Sequence, residues 1–228
     1  MMLLMQENFY QNGYVKLDYT NTNIVNSLNH RLLELISTQD YWLKKYKFTR
    51  DLKFDYLKFE NVFFDLIFKN NFHKQINEIT SKKLFLTNIQ VRVCYKGLSY
   101  MTWHRDTYMS NNKIIGPFKP CFKLMVYPDL YNLRSKEISL IKSSHNRLDF
   151  NSYHKYFSSL NFKKKDIYSD NSNCIFIDTT ILHKAISSLK NIPRPRIIYN
   201  FSTAETIEKF YKTELNKFYI DKYKINLN

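Results

Sequence analysis

Thr102-Trp103-His104-Arg105-Asp106 is the stretch on which the reading of this chain turns. Side chains at i and i+2 of an extended strand point to the same face. His104 and Asp106 would therefore bring an imidazole and a carboxylate to one point. A second histidine, His183, follows far downstream, after the apolar run Cys174-Ile175-Phe176-Ile177-Asp178 and within Ile181-Leu182-His183. Two imidazoles and one carboxylate on one face of a metal, with its other positions open, suit a non-haem ferrous ion. Taken singly, each residue has an ordinary explanation: a satisfied core histidine, a turn aspartate. Together with the strand context and the arginines downstream of His183, the metal explanation outweighs the ordinary one.

Composition narrows the field. A chain of 228 residues builds one sizeable core and is short for two full domains, so residues 1–228 are expected to form a single domain. With 18 tyrosines and 18 phenylalanines there is ample apolar surface to bury. The three glycines, Gly13, Gly97 and Gly116, leave no glycine-rich nucleotide loop. No apolar run approaches the roughly 20 residues of a membrane span. Three cysteines without metal-type spacing read as reduced thiols, and a cytoplasmic location is expected. The net charge of +15 comes from lysines spread along the chain, with one tight cluster at Lys163-Lys164-Lys165. Compositional drift towards Lys, Asn, Ile, Tyr and Phe explains it better than nucleic-acid binding, and an anionic substrate is the minority reading.

Along the chain, residues 9–17 read as a helix end, a turn at Asn12-Gly13 and a short strand. Thr22 is placed to cap a helix carrying Ile24, Leu28, Leu32 and Ile36. Residues 40–60 have no clean period and read as loops and short turns. One or two helices are expected over 60–80, with His73 solvated. Strands are expected over 84–95, 121–127, 138–142, 174–178, 181–184 and 196–202, with a loop containing a helical turn over 150–170 and a helix over 204–219. Helices gathered at the start and many short strands after them indicate an α+β fold, mainly β. Its core would be a jelly roll (a cupin-like double-stranded β-helix) covered by N-terminal helices and a C-terminal helix.

Five stretches, in order, resemble the phytanoyl-CoA dioxygenase-like family of Fe(II)/2-oxoglutarate oxygenases. Phe9 to Leu17 is similar to the family's F-x-x-x-G-Y/F-V opening, and Trp103-His104-Arg105-Asp106 to its W-H-x-D metal strand. Leu140 to His145 resembles its v-P-G-S-H element, with Lys142-Ser143 in place of Pro-Gly. Asp166 to Asp178 resembles the approach to the distal histidine, without its glycine. Leu182-His183 and Arg194 to Phe201 are similar to its ending. The resemblance implies that His104, Asp106 and His183 hold Fe(II). It also implies that an arginine binds the far carboxylate of 2-oxoglutarate through a bidentate fork. Arg194 stands at the family's position and Arg196 competes for the role. By strand parity Asn200 and Ser202 share the Arg196 face and are candidates to assist the co-substrate, while Tyr100 and Thr102 share the His104 face and are candidates to line a substrate pocket. The implied reaction hydroxylates an unactivated C–H bond of a small-molecule metabolite, with O2 consumed, succinate and CO2 released, and ascorbate as a stimulant. No catalytic residue is expected beyond the metal ligands. Trp103, out of phase, should pack in the core, and His145 should be structural.

Three other readings stay open: a nucleic-acid-directed oxygenase, a protein-directed oxygenase, and a jelly-roll binding protein without catalysis. The first is favoured by charge alone, since Arg194 to Phe201 lacks the R-x-N-x-T-x-R pattern of such enzymes. His104-Arg105-Asp106 with Asn111 also spells the protein-kinase catalytic loop. A kinase needs a glycine-rich loop and Asp-Phe-Gly, and the chain has neither.

Overall fold

The computed structural model describes residues 2–46, 48–95, 103–106, 108–110, 113–115, 121–146, 164–186, 192–205 and 214–226. In chain order the elements are α1 (Met2–Asn12), β1 (Tyr14–Asp18), α2 (Thr22–Ser37), β2 (Trp42–Tyr46), β3 (Thr49–Leu52), α3 (Phe54–Leu57), α4 (Asn61–Lys69) and α5 (Phe72–Thr80). There follow β4 (Leu84–Cys94), β5 (Tyr108–Ser110), β6 (Lys113–Ile115), β7 (Cys121–Val126), β8 (Lys136–Ile141), β9 (Lys164–Tyr168), β10 (Asn173–Asp178), β11 (His183–Ala185), β12 (Arg194–Thr203) and α6 (Glu214–Ile225). Among the described residues, seven strands form a large antiparallel sheet in the order β1-β10-β7-β12-β4-β3-β2, and β11-β8-β9 form a small one. This is the jelly roll that the strand pattern implied.

Alternation along each strand of the large sheet divides its two faces. Cys174 and Phe176 of β10, Phe122, Leu124 and Val126 of β7, and Ile197, Tyr199 and Phe201 of β12 join the core shared with the helices. Phe9 of α1 stacks on Phe176 at 5.1 Å between ring centroids. The opposite parity, Ile175 and Ile177 of β10 with Met125 of β7, packs with Ile138 and Leu140 of β8 in a second cluster between the sheets. One face therefore anchors the helices, and the other lines the barrel interior.

Several local expectations need correction. Asn21, not Thr22, caps α2, its side chain accepting from Ile24 N at 3.3 Å. The buried stripe of that helix ends on Leu35 rather than Ile36. Residues 42–46 and 49–52 pair as two antiparallel strands on the edge of the large sheet, which the mixed Lys, Tyr and Asp content concealed because an edge strand has no regular burial to display. Residues 164–168 form a strand whose outward lysines mask the one buried residue, Ile167. His73 is half-buried against Phe68. Of the helix expected over 204–219, Ala204 and Glu205 are helical, residues 206–213 lie outside the described residues, and the helix Glu214–Ile225 runs past the expected end, with Tyr219 and Tyr223 buried in the helix-side core. Residues 147–163 lie outside the described residues.

Gly13 is where α1 turns into β1. Its φ is +81°, and a Cβ built there would lie 2.5 Å from His145 Nδ1. The same turn accepts Asp178 N on Gly13 O, while Ser143 N donates to Asn12 O, so it cannot shift freely. Gly13→Ala should lower the melting temperature, with about 1–2 kcal/mol from the left-handed backbone alone and a steric cost added. In the His145→Ala background the substitution should cost less, because the colliding ring is gone. Equal costs in both backgrounds would contradict this packing.

Candidate metal centre

His104 and His183 are joined by an isolated antiparallel bridge in which each backbone N–H donates to the other's carbonyl at 2.9 Å. The bridge continues the small sheet, where His183 lies opposite Leu140 of β8. Asp106 N donates to Thr179 O at 3.1 Å, which fixes the second residue of H-x-D against the turn leading to His183. That turn is closed by Asp178 Oδ1, which accepts from Thr180 N at 2.8 Å and Thr180 Oγ1 at 2.6 Å. Buried Arg105 donates to Thr180 O from behind. Residues 103–106 form an isolated bridge rather than the expected strand, and it is this backbone pairing that aims the three side chains at one point.

Each of His104, Asp106 and His183 offers a ligand atom, all within 4.8 Å of one another. The Nε2 atoms of His104 and His183 lie 3.9 and 3.8 Å from Asp106 Oδ1. His183 Nδ1 is 2.9 Å from Ile181 O. A carbonyl only accepts, so Nδ1 carries the proton and the Nε2 lone pair faces the carboxylate, the tautomer a metal ligand requires. Burial lowers the pKa of His183 to about 4, so the ring is neutral at physiological pH. Burial by itself would raise the Asp106 carboxyl, but Lys123 and the two imidazoles outweigh it and hold the group below its usual range. Two imidazoles and one carboxylate form a donor set that fits a ferrous ion.

Lys123 went unremarked in the sequence, although a lysine on the inward parity of an otherwise apolar strand was the available signal. Its Nζ lies 2.7 Å from Asp106 Oδ2, the oxygen turned away from the histidines. Directly across the strands it faces Asn200 of β12 and Ile177 of β10. Asn200 is half-buried, and Ser202 is fully buried with no partner for Oγ among the described residues. Both share the inward face with Arg194 and Arg196, as parity requires, but they sit at the Lys123 end of β12 and the arginines at the other. Tyr100 and Thr102 lie outside the described residues. Trp103 is only half-buried and carries Lys184 over its ring at 5.5 Å, so it is not a core residue. His145 is buried, its Nε2 3.0 Å from Tyr10 O, in a structural role.

Arg194 and Arg196 are both buried and both engage Glu137, another residue that the sequence reading passed over. Arg194 Nη1 donates to Glu137 Oε1 and to Lys136 O, each at 3.0 Å, and Nη2 to Ile186 O at 3.1 Å. Arg196 Nε donates to Glu137 Oε2 at 3.1 Å and Nη2 to Ile186 O. Burial pushes the Glu137 carboxyl up against the opposing pull of Arg196 and Arg194. Glu137 is three residues from Leu140, the partner of His183, which is roughly 10 Å along the strand at about 3.3 Å per residue.

No protein-family model matches the chain, and no curated protein matches it. Its fold is similar to solved structures at low identity. The non-heme alpha ketoglutarate dependent epimerase SnoN from nogalamycin biosynthesis superposes with a TM-score of 0.68 at 11% identity, covering 89% of this chain and 81% of that one. HygX from Streptomyces hygroscopicus, with nickel, 2-oxoglutarate and hygromycin B bound, gives 0.65 at 13% identity, covering 88% and 87%. EctD from S. alaskensis, with bound Fe, gives 0.63 at 13% identity, covering 88% and 76%. Among the described residues, no helix is long and apolar enough to cross a membrane.

Mn(II) should stabilise the protein in thermal unfolding, by about 2.7 kcal/mol at a hundredfold excess over its dissociation constant, and Asp106→Ala or His183→Ala should abolish that gain. Lys123→Met should weaken metal affinity by about 10–100-fold, the usual cost of losing a partner behind a ligand. Undiminished stabilisation in the Asp106 and His183 variants would contradict the centre.

Proposed function

We propose that this chain is an Fe(II)- and 2-oxoglutarate-dependent dioxygenase that hydroxylates an unactivated C–H bond of a small molecule and releases succinate and CO2. The observation that carries the proposal is the convergence of His104, Asp106 and His183 within 4.8 Å, with the His183 tautomer set for ligation. The fold shared with SnoN, HygX and EctD supports it, as do the small molecules named with those structures, hygromycin B and 5-hydroxyectoine among them. Within that class, the motif order favours the phytanoyl-CoA dioxygenase-like family, with residues 1–228 as one domain.

In this reading His104 Nε2, Asp106 Oδ1 and His183 Nε2 hold the iron, which with 2-oxoglutarate and O2 supplies the oxidising power. The protein's part is placement. Lys123 takes Asp106 Oδ2, so one carboxylate oxygen is left for the metal. The Ile181 carbonyl fixes the His183 ring. Ile138, Leu140, Ile175, Ile177 and Ile181 form an apolar interior that excludes water from the reacting centre. The Arg194/Arg196 end of β12 receives the far carboxylate of 2-oxoglutarate, since a guanidinium fork matches a carboxylate. Asn200 and Ser202 offer an amide and a hydroxyl at the Lys123 end.

The test is succinate release from 2-oxoglutarate under air with Fe(II) and ascorbate, screened across candidate metabolites. The wild type should turn over with at least one substrate class, and His104→Ala and Asp106→Ala should fall to background while circular dichroism is unchanged. Turnover retained in both variants would refute the assignment.

A further inference from the structure

The two buried arginines pose a problem of charge. A single carboxylate needs one guanidinium fork, yet β12 presents two guanidiniums on the same inward face, both at least nine-tenths buried. Burying an uncompensated charge is costly, so a second arginine without a partner would not persist there. Glu137 is its partner. β8 carries one residue more than β9 at this point, with Lys136 opposite Tyr168 and Ile138 opposite Ile167. A bulge of this kind re-aims a side chain. Here it turns Glu137 into the interior, where it is 1% exposed and bridges both arginines.

The bridging is unequal. Glu137 Oε2 takes Arg196 Nε, while Arg196 Nη2 is held by the Ile186 carbonyl, so both donors of that side-on edge are committed to the protein. On Arg194, Glu137 Oε1 and the Lys136 carbonyl take Nη1 and the Ile186 carbonyl takes Nη2, as on Arg196, but here Nε is buried and has no partner among the described residues. Arg194 therefore keeps an unfilled donor on its side-on edge. With Glu137 ionised, the three side chains sum to one net positive charge in a site without water's screening.

We propose that Glu137 sets the valence of this subsite, cancelling the charge of Arg196 so that Arg194 alone receives one carboxylate of an incoming diacid. Glu137 and Arg196 are positioning residues, and Arg194 is the binding residue. The inference rests on the co-substrate reading above, and it resolves the choice between the two arginines in favour of Arg194. It also makes a distinctive claim: removing Glu137 and Arg196 together preserves the charge of the site, whereas removing Arg196 alone leaves Glu137 to neutralise Arg194.

The experiment measures dissociation constants of Mn(II)-loaded protein for 2-oxoglutarate and for 2-oxopentanoate, which lacks the distal carboxylate, with melting temperatures alongside. The wild type should prefer 2-oxoglutarate at least tenfold. Arg194→Met and Arg196→Met should each lose that preference, Glu137→Gln should keep it, and the Glu137→Gln/Arg196→Met double variant should regain it to within threefold of the wild type. A mere packing role predicts the opposite order, with the double variant at least as impaired as Arg196→Met, and that result would overturn the proposal. If the double variant fails to fold, Arg196→Lys decides: a retained preference supports charge cancellation and a lost one overturns it. A wild type with no preference overturns the co-substrate reading itself, whereas a wild-type preference with the packing order overturns only the role of Glu137.

Discussion

Two backbone hydrogen bonds between His104 and His183, each 2.9 Å, are the constraint on which the site depends. They join segments distant in sequence and leave both imidazoles on one side of the small sheet. Without that bridge the histidines would belong to separate strands with independent twists. With it, the H-x-D spacing places Asp106 under the Thr179 carbonyl, and the turn from Asp178 to Ile181 becomes part of the centre. The jelly roll supplies this because its fold brings the end of one sheet over the end of the other.

The barrel interior is polar at two places along an otherwise apolar wall. At one, Lys123 faces Asp106; at the other, Glu137 lies between Arg194 and Arg196. Between them lie Ile138, Leu140, Met125 and Ile175. Buried ionic groups are a poor way to stabilise a fold, since hydrophobic replacements do as well or better. In the function proposed above, the two clusters serve binding: one end holds a cation through a carboxylate, the other holds an anion through a guanidinium, and a chelating diacid has both needs.

Much of this was legible from the chain. The i, i+2 rule put His104 and Asp106 on one face, and alternation in β7, β10 and β12 marked the core strands. What was hidden follows a pattern. The β2–β3 pair is an edge, so its side chains carry no burial period, and β9 has a single buried residue. Lys123 and Glu137 were passed over because a charged residue in a short strand is usually solvated. Only the pairing of β7 with β12 and the bulge in β8 show that these two point inwards. Parity correctly put Asn200 and Ser202 on the arginine face, but parity has no measure of distance along a strand, so it grouped residues that sit at opposite ends of the wall. The cap of α2 fell one residue earlier than expected, on Asn21, because adjacent polar residues compete for the same role.

The most direct test is an anomalous difference map from crystals grown with Mn(II). The account predicts one strong peak bonded to His104 Nε2, Asp106 Oδ1 and His183 Nε2, with Lys123 still on the other Asp106 oxygen. A map with no peak among those atoms, or with manganese bound elsewhere on the chain, would contradict it.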